Sequence, residues 1–115
     1  MFEKCTSLTT APALPATTLE NFCYRGMFCG CTSLTTAPAL PAAKLKNNCY
    51  EFMFKGCSKL NSVTCLATDI SVKTCTHDWL KEVAAAGTFT KAAGADWSGK
   101  TGSDGIPGGW TVLVK

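Results

Sequence analysis

The chain has 115 residues, of which 46% are hydrophobic and 17% charged, with a net charge of +3. That is material for one domain with a core, and it argues against a disordered chain. The eleven basic residues are dispersed and never form a Lys/Arg-rich run, which excludes a nucleic-acid footprint, and no apolar run approaches the roughly 20 residues that cross a bilayer.

Self-comparison organises the rest. Residues 5–16 read CTSLTTAPALPA and residues 31–42 read the same twelve letters, an offset of 26. Carried forward, the offset aligns Met1, Met27 and Met53; Cys5, Cys31 and Cys57; Leu8, Leu34 and Leu60; Leu14, Leu40 and Leu66; and Cys23, Cys49 and Cys75. A period of 26 falls in the leucine-rich-repeat range, where one unit cannot bury its own apolar side and its neighbours must complete the core. The expected architecture is therefore an α/β leucine-rich-repeat solenoid, with short parallel strands stacked at a 26-residue repeat and a small α+β C-terminal cap. Three repeats would occupy 1–76 and the capping segment 77–115.

In chain order, strands are expected at 9–14, 35–40 and 62–66. Period-2 alternation turns Ala11, Ala13, Ala37, Ala39, Val63 and Cys65 inward, and Thr10, Pro12, Thr36, Pro38, Ser62 and Thr64 outward. Pro12 and Pro38 cannot donate to a ladder, so strands there must be short or irregular. The return segment, 16–28, carries Leu19, Cys23 and Met27 at spacings of four, which suits a helical turn or two. In the tail, a helix capped by Thr76 or Asp78 runs to Ala86 and stops at Gly87. Strands follow at 87–91 and 110–114. Trp79 and Trp110 are expected to cover the open end of the core, and Trp97 to be partly exposed.

The cysteines are read through the repeat. Cys5, Cys31 and Cys57 form one column and Cys23, Cys49 and Cys75 another. Equivalent residues on neighbouring strands lie about 4.8 Å apart with parallel side chains. A disulfide wants Cβ atoms about 3.5–4.5 Å apart and converging. Reduced, buried columns are the favoured reading, with some disulfide bonding or a metal as rivals. Cys29, whose equivalents are Glu3 and Lys55, is expected to be exposed and the most reactive thiol. Cys75, His77 and Asp78 could suggest a nucleophile with its base, but three residues within four positions converge poorly, and helix capping is the simpler role. Asp96, Ser98, Ser103 and Asp104 form a polar Gly-rich loop that matches no calcium-binding spacing. No catalytic residue, metal ligand or cofactor is therefore assigned.

The pattern MFxGCTSLTxAPALPAxxLxxxCYxxMF, carried by residues 1–76, resembles the BspA-type leucine-rich repeats of bacterial surface proteins. The resemblance implies a cell-surface or secreted protein that binds host matrix or other cells, and offers no catalytic residue to carry over. The third copy departs from it, with VTCLAT in place of APALPA. The expected function is a non-enzymatic protein-binding or adhesion module contacting its ligand through Thr10, Pro12, Thr36, Pro38, Ser62 and Thr64. A structural spacer of a surface-displayed protein is the alternative, and a Cys-based metal or redox protein comes after it. No leader segment is visible. Because Met1-Phe2 is in phase with Met27-Phe28, the first copy lacks a cap, and self-association through that end, or a longer parent array, is expected.

Overall fold

A computed structural model describes residues 5–12, 14, 17–72, 74–97, 100 and 102–115. Three β-rich stretches bounded by turn residues form strands: β1 (Ser62–Cys65), β2 (Gly87–Lys91) and β3 (Trp110–Val114). All pair in parallel, in the order β1-β2-β3, with Ser62 opposite Thr88 and Thr88 opposite Thr111. Ahead of them the first two copies contribute isolated parallel bridges, Thr10 to Thr36, Thr36 to Ser62, Leu40 to Cys65 and Lys44 to Asp69. One line of hydroxyl-bearing residues thus crosses the molecule from Thr10 to Thr111. The strands expected at 9–14 and 35–40 are reduced to these bridges, and missing proline donors account for part of that.

The return segments correct the expectation of helix. The N–H groups of Phe22, Tyr24, Gly26, Phe28 and Gly30 donate to the carbonyls of Asn47, Cys49, Glu51, Met53 and Lys55. The intervening N–H groups, from Cys23 to Cys31, each donate to the carbonyl three residues back. Tyr50, Phe52, Phe54 and Gly56 repeat the scheme onto Cys75, His77, Trp79 and Lys81. The backbone donors from Phe22 to Cys31 and from Cys49 to Cys57 are thereby satisfied by a string of turns, leaving none for an i→i−4 ladder. Left-handed residues recur every fourth position: Phe22, Gly26 and Gly30, then Asn48, Phe52 and Gly56, then Asp78 and Glu82. The helix expected from Thr76 or Asp78 to Ala86 is likewise replaced by turns, and Gly87 opens β2 instead of ending a helix.

These findings overturn the expected fold class. The described residues form no α-helix and no solenoid with a separate cap. They make one small domain, 34 × 29 × 21 Å, around a three-stranded parallel sheet. The strands at 87–91 and 110–114 are present, but they extend the sheet begun by β1.

The core lies between the sheet and the turns. Phe28 stacks on Phe54 at 5.7 Å, and Tyr50 stands between Tyr24 and Trp79 at 6.1 and 5.9 Å. Trp79 is fully buried, and its indole N–H donates to the Gly105 carbonyl; that of Trp110 donates to Ala84. Trp97 is buried too, 6% exposed and stacked on Trp79, which corrects the expectation of a partly exposed ring. The alternation holds at Ala37, Val63 and Cys65, all buried. It inverts at the second copy's proline, where Pro38 is buried and Ala39 exposed. Ala13 lies outside the described residues. No helix of the described residues is long and apolar enough to cross a membrane.

Candidate functional site

A shallow apolar groove of about 360 Å³ lies where the first two copies meet. Thr10 and Thr36, bridged to one another, flank it, and Ala11, Leu14, Ala37 and Pro38 contribute its apolar surface. Of the six contact residues read from the sequence, it gathers Thr10, Thr36 and Pro38. Pro12 is exposed outside it, and Ser62 and Thr64 sit half-buried on β1. Ala39 and Pro41 complete the lining and went unrecognised. Nothing in the letters marks them, because the two copies read alike there and only the structure shows Pro38 buried and Ala39 exposed. None of the described residues that line the groove is charged. Two threonine hydroxyls on an apolar surface suit contact with a polypeptide segment or glycan, without proton transfer.

All eight cysteines are free thiols. Cys31 and Cys57 are fully buried; Cys5 is close enough to act electrostatically on Cys31, and Cys31 on Cys57. Cys49 is buried between Cys23 and Cys75. Burial pushes Cys49, Cys57 and Cys65 up to about 12, because a thiolate in this core would lose its solvation. Cys31 and Cys75 are raised for the same reason. Such thiols are poor nucleophiles at neutral pH, Cys75 included. Cys29, expected exposed, is half-buried; the exposed thiol is Cys23.

Among the described residues one group of three potential metal ligands converges: His77, Asp78 and Asp104. The short 3-10 turn Gly102–Asp104 folds over the turn at 76–80. There Asp104 Oδ1 accepts the Asp78 N–H at 2.8 Å, and the Ser103 carbonyl accepts the Leu80 N–H at 3.3 Å. Thr76 Oγ1 donates to the Asp104 carbonyl at 2.7 Å. The turn thus takes the place of a further copy, receiving donors that earlier copies hand to their neighbours. Thr76 and Asp78, read as helix caps, are parts of this closure. Asp104 was read only as a loop residue, although its separation from Asp78 is again 26. Asp96 is exposed away from the group, and Ser98 lies outside the described residues.

No protein-family model, curated protein or solved structure matches this chain.

Proposed function

We propose that the chain is a non-enzymatic protein-binding or adhesion module of a bacterial surface or secreted protein, docking its ligand in the groove between its first two copies. The observation that carries this reading is the convergence of Thr10, Thr36 and Pro38 on one uncharged, apolar concavity. Apolar clefts with a few placed polar groups are the usual form of a binding site. The surface location and the protein or host-surface ligand rest on the resemblance to BspA-type repeats. A groove without cationic side chains offers nothing to a phosphate backbone, so nucleic acid is not the partner.

Binding of the intact chain to an array of matrix proteins and glycans tests the reading. Thr36→Arg places a long charged side chain in the groove and abolishes binding, whereas Thr64→Arg, outside it, leaves binding within about twofold. Equal binding by both variants overturns the groove as the site. A second reading, a spacer element, is favoured by the near-identity of the first two copies, and it predicts no saturable ligand on any array.

A further inference from the structure

We infer that His77, Asp78 and Asp104 form a binding site for one divalent transition-metal ion of the zinc class. The three side chains come from two turns brought together by the closure at 102–104, and one ligand atom from each lies within 4.8 Å of the other two. His77 Nδ1 stands 3.5 Å from Asp104 Oδ1, and Nε2 stands 3.7 Å from Asp78 Oδ2. Ligand atoms around a tetrahedral zinc, with bonds near 2.0–2.2 Å, are separated by roughly 3.4 Å. The two distances run to different ring nitrogens, so the half-exposed imidazole turns to set one nitrogen between the two carboxylates, and one ligand atom from each residue already lies within 4.8 Å of the others.

The carboxylates are held in place by neighbours. Ser103 Oγ donates to Asp78 Oδ1 at 2.6 Å, which leaves Oδ2 turned to the imidazole. The Asp78 N–H fixes Asp104 Oδ1. His77 is about half exposed, with side-chain exposure of 47% against 39% for Asp104, so an ion reaches the site without opening the core. One imidazole with two carboxylates favours zinc, cobalt or nickel over magnesium and calcium, which prefer all-oxygen sites. A bound ion links the 76–80 turn to the 102–104 turn and stabilises the closure by mass action.

Titration of the metal-stripped, reduced full chain with Co²⁺ and Zn²⁺ tests the site by calorimetry, visible absorption and thermal unfolding. One ion binds per chain, Zn²⁺ at a hundredfold excess over Kd raises Tm by roughly 5–10 °C, and Mg²⁺ and Ca²⁺ do not. The cobalt spectrum lacks the near-ultraviolet thiolate charge-transfer band, which separates this site from the cysteines. His77→Gln and Asp104→Asn each weaken binding at least tenfold; the asparagine keeps the oxygen that accepts the Asp78 N–H, so the turn survives. Absence of a stoichiometric ion, a thiolate band, or unchanged affinity in both variants overturns the assignment.

Discussion

The indole of Trp110 lies so close over Gly87 that a Cβ placed there would stand 2.7 Å from Trp110 Cε2 and 2.6 Å from the Asn61 carbonyl oxygen. Gly87 is the first residue of β2 and pairs with Trp110 across the β2–β3 ladder. Any side chain at 87 must displace either the ring or the β1-side backbone. Gly87→Ala is therefore expected to destabilise the domain by about 1–3 kcal/mol, the usual cost of overpacking. Urea unfolding of the two proteins checks this. An unchanged midpoint would show that the strands part more easily than their packing indicates.

The thiols are expected to divide by reactivity. An aromatic disulfide reagent added to the native, reduced chain labels the exposed Cys23 and the half-buried Cys5 and Cys29 ahead of the rest. The buried Cys31, Cys49, Cys57, Cys65 and Cys75 react only after denaturant is added. Peptide mapping of the labelled protein assigns the phases. Rapid labelling of Cys57 or Cys65 would be incompatible with their zero exposure.

Several relationships in this architecture could be read from the letters, and the reasons others could not are physical. The offset of 26 placed Thr10, Thr36 and Ser62 in one line because identical residues were available to align. The absence of helix was hidden because Leu19, Cys23 and Met27 recur every four residues. A string of turns with a left-handed residue at 22, 26 and 30 has that same spacing. Gly26, Gly30 and Gly56 were the available signal, since positive φ is cheapest at glycine. Asp104 was missed because sequence similarity ends near residue 76 while backbone periodicity does not. Asp78 to Asp104, Trp79 to Gly105 and Ala84 to Trp110 are all bonded across 26 residues. Hydrogen-bond partners there are a carboxylate and carbonyls, which need no particular repeat residue.

Glu82 gives a substitution whose sign runs against intuition. It is exposed, yet its backbone is left-handed at φ 62°, one of the positions that recur every four residues. A residue with a Cβ is strained there, while glycine fills the equivalent position, Gly56, in the preceding copy. Glu82→Gly is expected to stabilise the chain by roughly 0.5–1 kcal/mol, the relief of strain outweighing the added freedom of the unfolded chain. Gly56→Ala, with φ near 80°, acts in the opposite direction. Thermal unfolding of both variants measures the signs. Loss of stability in Glu82→Gly would mean that its side chain makes a contact worth more than the strain.

Alkaline conditions should unfold this protein early, and the cause lies in the core thiols. A cysteine in the unfolded chain titrates near 9.0, whereas Cys49, Cys57 and Cys65 are pushed up to about 12 by burial. The folded state therefore holds protons that the unfolded state releases. The stabilisation is complete below pH 9 and is lost as pH rises from 9 towards 12, at up to about 1.4 kcal/mol per pH unit for each thiol. Burial of Tyr50, also raised, acts in the same sense. Urea midpoints measured under reducing conditions are expected to be level between pH 7 and 8.5 and to fall steeply above pH 9.5. The pair Cys49→Ala and Cys65→Ala lowers stability at neutral pH by opening cavities, but flattens the alkaline fall because two titrating groups are gone. The slope reports thiol ionisation and the neutral-pH value reports packing, so one double variant separates the two roles of the buried cysteines. A midpoint that stays level to pH 11 in the parent chain would place these sulfurs in contact with water.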